Sequence, residues 1–175
     1  NHLRHSSTYE VPEGAITIDS DFSDWDSVPR LYEESSPTGF YGLGLDIKSV
    51  ATAIDATHAY FYVEVWQEVP ADFHKLEIYV DYLPGARITH HPQDDALMNV
   101  GSDSLDLSYP NQEDDWMTMS DEDIQLDKDG SHFNGAIRLD ALGGPDYFNF
   151  TFVNVWFEGL SDNTGCDPTW VPPYP

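Results

Sequence analysis

Ile16-Thr17-Ile18-Asp19-Ser20-Asp21-Phe22-Ser23-Asp24-Trp25-Asp26-Ser27-Val28-Pro29 is the stretch that decides the fold prediction. It begins with the apolar–polar alternation of a short β-strand, because Ile16 and Ile18 flank a threonine. Four aspartates then alternate with two large apolar side chains, Phe22 and Trp25. Aromatic rings bury readily and carboxylates do not. The stretch therefore predicts a first strand and a loop that turns its rings into a core and its oxygens outward or onto a cation, plugging one end of a β-sandwich.

Several later stretches of the chain show the same two-residue alternation of apolar and polar side chains. Aromatic and β-branched residues mark two strands within 45–66, one at 76–81, a hairpin over 124–139 around Asp129-Gly130, and a long strand at 147–157. On the second strand, Tyr60 and Tyr62 share a face with Trp66. This face is either covered by a loop or exposed as an aromatic strip. The predicted fold class is all-β, a single-domain antiparallel β-sandwich of jelly-roll-like type.

Three parts of the chain differ in composition. Residues 1–14 form a polar N-terminal arm, residues 15–160 the β-sandwich domain, and residues 161–175 a proline-rich C-terminal tail. Proline excludes a helix or a central strand from the tail. Both end segments are expected to lie either over their own domain or on a neighbouring copy.

The charge of the chain is its most unusual property. Asp and Glu number 32 against 7 Lys and Arg, which gives a net charge of −25. Such a surface repels nucleic acids and anionic membranes, so neither is expected as a partner. High salt, bound divalent cations or simple solubility of a secreted protein would each account for it. No apolar run approaches the ~20 residues of a membrane span. The chain begins without methionine, as expected for a secreted or surface protein whose leader was removed, and its lone Cys166 excludes an internal disulfide.

The opening stretch resembles the start of family 9 carbohydrate-binding modules and the related DOMON-like β-sandwiches. Three later stretches resemble the same family in the same order: Asp46–Asp55 with His58–Val65, Leu76–Asp81, and Gly135–Gly143. The resemblance spans roughly residues 15 to 160. It implies the β-sandwich fold, calcium near the acidic loops and, in the family, sugar bound between two tryptophans.

Calcium is the expected cofactor. It takes about 6–8 oxygen ligands from carboxylates and carbonyls, and short carboxylates crowd the loops of this chain. The candidate metal ligands are Asp19, Asp21, Asp24, Asp46, Asp55 and Asp81. The alternative is that Asp19 and Asp24 cap turns through side-chain hydrogen bonds.

The sequence carries no nucleophile elbow, zinc-helix, paired-cysteine or phosphate-loop motif, and we predict that the protein is not an enzyme. The leading hypothesis is a calcium-stabilised structural subunit of an extracellular filament, tube or surface layer. It would polymerise through its terminal arms and edge strands. The alternative is a carbohydrate-binding module that recognises a glycan, with Trp116 and Trp170 as the candidate ligand-binding residues.

Overall fold

The computed structural model describes residues 9–36, 46–69, 75–81, 96–100, 105–110, 116–118, 121–145, 148–157 and 160–163. These residues form β-strands and short 3-10 helices, with no α-helix among them. The strands belong to two sheets in which all neighbours pair antiparallel. The prediction of an all-β protein is confirmed.

The first sheet has five strands in the order β1-β2-β3-β9-β8. Their bounds are Tyr32–Glu33 (β1), Ile47–Ile54 (β2), His58–Val65 (β3), Ile124–Asp129 (β8) and His132–Arg138 (β9). The predicted strands within 45–66 and the hairpin over 124–139 are therefore confirmed. The hairpin turn falls at Gly130, whose φ of 58° suits glycine.

The second sheet has six strands in the order β11-β10-β4-β5-β6-β7. Their bounds are Lys75–Asp81 (β4), Ala96–Val100 (β5), Leu105–Pro110 (β6), Trp116–Thr118 (β7), Asn149–Phe157 (β10) and Leu160–Asn163 (β11). The strands predicted at 76–81 and 147–157 are present. Strand β11 carries the sheet three residues past the predicted end of the domain at 160, and residues 164–175 lie outside the described residues.

One core cluster joins side chains from both sheets. Phe61, Val63 and Phe133 of the five-stranded sheet belong to the same buried cluster as Leu76 and Ile78 of the six-stranded sheet. All five are fully shielded from solvent, with exposures of 0%. Burial of this apolar surface is the main stabilising contribution to the fold. We call the face of the five-stranded sheet that points toward this cluster its inner face.

The inner face includes one place where two strands approach closely. Gly135 of β9 lies directly opposite Phe61 of β3. A Cβ atom added to Gly135 would stand 2.3 Å from the Phe61 ring and 2.7 Å from the carbonyl oxygen of Gln125. Only glycine leaves room there for the phenylalanine, which explains why this small residue occurs inside a core strand.

The outer face of the five-stranded sheet carries a second core. Tyr60 and Tyr62 alternate with the inner-face residues of β3 and are 5% and 3% exposed. They are covered by Ile16, Trp25 and Val28. We call residues 16–28 the N-terminal segment. The alternative in which a loop covers this face is confirmed for Tyr60 and Tyr62, while Trp66 is half-buried. The opening stretch lies across this sheet face rather than at one end of the molecule.

The prediction of a strand at Ile16–Ile18 is wrong, because the backbone there is irregular. The backbone N–H of Thr17 donates to the Asp24 side chain at 2.8 Å instead of to a neighbouring strand. Short aspartate side chains compete with sheet ladders for backbone donors in this way. Ile16 is nevertheless buried, so its apolar side chain holds the segment to the sheet without a strand.

Part of the N-terminal arm also docks on the five-stranded sheet. Glu10 forms a parallel bridge with Ile54 at the end of β2. The Val11 N–H donates to the Ile54 carbonyl and the Ile54 N–H donates to the Tyr9 carbonyl, both at 2.9 Å. Residues 1–8 lie outside the described residues. The described end of the arm thus occupies a position beside β2 in its own chain.

Candidate functional site: the acidic segment on the outer sheet face

We call residues Asp19–Asp26 the acidic segment. Its aspartates shape its own backbone: Asp19 Oδ1 accepts the Asp21 N–H at 2.9 Å, and Asp21 Oδ1 accepts the Ser23 N–H at 3.1 Å. Asp21 thereby caps a 3-10 helix, Phe22–Trp25. The Asp19 side chain thus holds a turn, as the alternative interpretation expects, and Asp24 accepts the Thr17 N–H from seven residues earlier. The hydrogen bonds from Ser23 hold the pKa of Asp21 below its ordinary value.

Aromatic rings anchor the acidic segment to the sheet. Trp25 is fully buried and stacks on Tyr62 with ring centroids 5.3 Å apart. Phe22 stacks on His132 of β9 at 4.4 Å. The Arg30 guanidinium lies 4.6 Å from the Tyr62 ring centre and donates to the Trp25 carbonyl at 2.8 Å. The rings thus point inward while most carboxylates stay exposed, which confirms the predicted orientation of the loop.

The beginning of the segment reaches the β8–β9 hairpin. The Asn134 side-chain amide donates to the Asp19 carbonyl oxygen at 3.2 Å. Ser20 Oγ donates to the Asp127 carboxylate at 3.4 Å. Asp127 and Asn134 stand directly opposite each other on β8 and β9. Asn134 is 0% exposed, and its Oδ1 atom has no hydrogen-bond partner within the described part of the chain.

Sequence reasoning missed Asn134 and Asp127 as site residues. A single polar residue inside the apolar pattern of β9 gave no sign that its amide meets a loop 115 residues away in the chain. The predicted hairpin could have placed Asp127 near Asn134, because the turn sets the register of the two strands. It could not have shown that Asp19 comes to the same place.

Two other predicted metal ligands lie far from each other. Asp46 precedes β2 and Asp55 follows it, so this eight-residue strand separates them by more than about 20 Å. They cannot share one ion. Asp81 is the last residue of β4 in the other sheet, where its backbone lies opposite Asn149, and its side chain is outside the described residues.

Asp55 uses both carboxylate oxygens to hold the β2–β3 turn. Oδ1 accepts the N–H groups of Thr57 and His58 at 2.7 and 2.8 Å. Oδ2 accepts the Tyr60 hydroxyl at 2.6 Å. Burial alone would raise the pKa of Asp55, but the hydrogen bonds from Tyr60 and the turn outweigh it and lower the pKa. Burial of the Tyr60 hydroxyl and the neighbouring Asp55 carboxylate raise the pKa of Tyr60. These contacts account for Asp55 as a turn residue.

The two tryptophans proposed as ligand-binding residues are not described at the level of side chains. Trp116 is the first residue of β7, at one edge of the six-stranded sheet, and Trp170 falls outside the described residues. Within the described ranges, no group of three or more His, Cys, Asp or Glu side chains is placed so that it could hold a metal ion. A site that also uses amide and carbonyl oxygens is a different arrangement.

A second polar group on the five-stranded sheet was not predicted. We call Lys48, Glu64, Trp66 and His132 the Trp66 cluster. Lys48 Nζ lies 2.6 Å from Glu64 Oε1 and 5.1 Å from the Trp66 ring centre. His132 Nε2 is 3.6 Å from the same Glu64 oxygen. Burial opposes ionisation of Glu64, but Lys48 and His132 hold its pKa below the ordinary value. The cluster presents a half-buried indole beside charged hydrogen-bonding groups.

Comparison with known proteins does not add a family to these observations. A scan against protein-family models found no match, and a search of curated protein sequences found none either. None of the helical turns in the described ranges is long and apolar enough to cross a lipid bilayer. The chain is an all-β protein with an acidic segment held across the outer face of its five-stranded sheet.

Proposed function

We propose that this chain is a secreted, non-catalytic β-sandwich that serves as a calcium-stabilised structural subunit of an extracellular filament, tube or surface layer. The observation that carries the proposal is the docking of Tyr9–Val11 beside β2. A chain segment held by a few backbone hydrogen bonds at a strand edge is a segment that two copies can exchange.

The sandwich arrangement is supported by the core that both sheets share. Two antiparallel sheets that bury side chains in one cluster are expected to pack face to face. The resemblance of the opening stretch to carbohydrate-binding modules points to the same architecture. In this arrangement, the N-terminal segment forms an additional layer outside the five-stranded sheet.

Assembly is supported by the small number of backbone hydrogen bonds that hold the arm on β2. The bridge at Glu10 involves one pair of residues, and Tyr9 is 39% exposed. Beyond it, Gly14 takes a φ of 77°, which makes the connection to Ile16 a sharp turn. If the arm left β2 and entered the same position in a neighbour, the hydrogen bonds lost in one chain would be made in the next. Repetition of that exchange produces a polymer.

Calcium is supported by charge. A chain with a net charge of −25 repels every other copy, and assembly brings such surfaces together. Divalent cations between facing carboxylates would replace that repulsion by attraction. The exposed aspartates of the acidic segment provide oxygens for this role.

Replacing Val11 by proline tests the assembly. Proline removes the N–H that donates to Ile54, so the arm loses one of its two backbone hydrogen bonds to β2, in its own chain or in another. We expect wild-type protein in millimolar calcium to scatter light with a mass several times that of the 19.8 kDa chain. The V11P variant should remain a monomer.

Val11→Ala is the matched control, since it shortens the side chain and keeps the N–H. It should assemble like the wild type. Wild-type protein that stays monomeric at every calcium concentration would sink the proposal, as would V11P polymers equal to those of the control.

A second candidate function, glycan binding, is favoured by the Trp66 cluster. Sugars bind to aromatic faces flanked by charged or amide groups, and Trp66 is half-buried beside Lys48 and Glu64. Titration calorimetry against a polysaccharide panel tests this function. Binding that falls at least tenfold in Trp66→Ala, with the melting temperature retained, would support it. If no glycan gives a heat of binding, the glycan-binding function is rejected.

A further inference from the structure

A cavity of about 520 Å³ opens at the end of the five-stranded sheet. It lies where the N-terminal arm, the β2–β3 turn and the 3-10 helix Asp140–Leu142 after β9 come together. Each of these three segments contributes one carboxylate to the wall, from Glu10, Asp55 and Asp140 respectively. The volume falls within the range of about 300–1,000 Å³ that is usual for small-molecule sites.

Backbone hydrogen bonds hold the walls of this cavity in place. The Val11 N–H donates to the Ile54 carbonyl at 2.9 Å, which fixes the arm beside β2. The Leu139 N–H donates to the Thr57 carbonyl, also at 2.9 Å, which fixes the segment after β9 over the turn. The Asp55 carboxylate holds the turn itself. The cavity is therefore formed before any ligand arrives.

Apolar side chains lie between the carboxylates. Ile54 and Leu139 are 5% and 8% exposed, and they line the cavity together with Val11 and the buried Pro145. Such a surface favours a hydrocarbon body in the ligand. Among the described residues that line the cavity there is no aromatic ring, which is the usual platform for a sugar.

The charge of the cavity is negative. Asp140 is paired with Arg138, so the uncompensated charge comes from Glu10 and Asp55. Asp55 already accepts hydrogen bonds on both oxygens and contributes through its charge rather than through a free oxygen. The described lining residues include no lysine, arginine or histidine that would offset this charge. The cavity therefore favours a cationic ligand.

The spacing of the carboxylates favours an elongated ligand over a single metal ion. Glu10 pairs with Ile54, Ile54 with Ala59, and Ala59 with Ile137, in one row across the sheet. Three strand spacings of about 4.8 Å place the arm roughly 14 Å from β9. A single ion at Glu10 and Asp140 would have to draw both side chains inward and detach Asp140 from Arg138. A chain with spaced charges does not require this movement.

We propose that this cavity binds a linear aliphatic polyamine of the spermidine class. One ammonium group pairs with Glu10, a second lies near Asp55, and the methylene chain packs on Ile54 and Leu139. Because Glu10 and Val11 belong to the arm, the ligand ties the arm to the sheet and holds it beside β2. This inference goes beyond the proposed function and requires neither calcium nor assembly.

Calorimetric titration with spermidine at physiological salt tests the site. Octanediol, an uncharged chain of similar length, is the control ligand and should not bind. Glu10→Gln should weaken spermidine binding by about fivefold, the loss of one partly exposed ion pair. Glu68→Gln is the matched control, because it removes one charge from an exposed position beyond the opposite end of β3. It should bind spermidine like the wild type.

Ala56→Phe fills the cavity without changing its charge. Ala56 is exposed, so the variant should keep the wild-type circular dichroism spectrum. It should bind spermidine at least tenfold more weakly than the wild type, because the new ring occupies the space of the methylene chain. The pair E10Q and E68Q keeps the test valid if A56F fails to fold.

Hydrogen exchange provides a readout of the arm. Opening of the arm exposes the N–H groups of Val11 and Ile54 and destroys one wall of the cavity. Spermidine at ten times its Kd should therefore slow the exchange of both groups by about tenfold. The Leu31 N–H donates to the Val50 carbonyl on the same edge of β2, away from the cavity, and its exchange should not change.

Equal affinity of folded A56F and wild type for spermidine would overturn the site, because attraction to the net charge alone would explain the binding. Equal losses of affinity in E10Q and E68Q would overturn it for the same reason. Assembly is tested separately, by the scattering mass of V11P in calcium. A failure of spermidine binding thus leaves the proposed function standing, and a monomeric wild type leaves the polyamine site standing.

Discussion

Replacing Trp25 by alanine is expected to lower the free energy of unfolding by about 3–5 kcal/mol. Trp25 is 0% exposed, stacks on Tyr62, and is the largest buried side chain with which the N-terminal segment holds the outer sheet face. Its loss opens a cavity under the acidic segment that short neighbours such as Ala51 and Ala53 cannot fill. Urea unfolding followed by circular dichroism measures the change.

Trp25→Phe is the control for this variant. It keeps an aromatic ring against Tyr62 and should cost less than half as much as alanine. A cost below about 1 kcal/mol for W25A would mean that the outer core does not hold the segment.

Strands β2, β3, β8 and β9 of the five-stranded sheet were predictable because each carries a strong local pattern, whereas the two-residue strand β1 was not predicted. In β3, Phe61 and Val63 face the shared core while Tyr60 and Tyr62 face outward, as strict alternation requires. Every position of β3 except His58 and Glu64 is buried, so both faces had to be covered. The apolar residues of the opening stretch predicted that it would pack on a core. They did not indicate that it would cover Tyr60 and Tyr62 on the outer face of this sheet.

The prediction at Ile16–Ile18 failed because alternation alone does not supply a partner strand. The Thr17 N–H finds its acceptor in Asp24, seven residues on, so the segment closes on itself. The acidic loop predicts local hydrogen bonds to aspartate, and these extend to the residues before it. A dense set of short carboxylates is therefore a reason to expect turns on both sides of them.

The candidate site was predictable only in its chemistry. Crowded aspartates predict a cation, which stays a prediction, and the Asp19 carbonyl accepts a hydrogen bond from Asn134. Asn134 could not be found by the same reasoning, because its significance comes from a contact between the chain's first loop and a late strand. Such a contact depends on how the segment crosses the sheet, which no local pattern specifies.

Removing calcium in low-salt buffer is the most direct test of the central claim that cations hold this acidic chain together. With salt too dilute to screen the net charge of −25, a chelator should lower the melting temperature by at least about 4 °C. It should also return the scattering mass to that of one chain. Sodium chloride at matched ionic strength should not substitute for calcium. A melting temperature and a mass that are unchanged by the chelator would contradict the account.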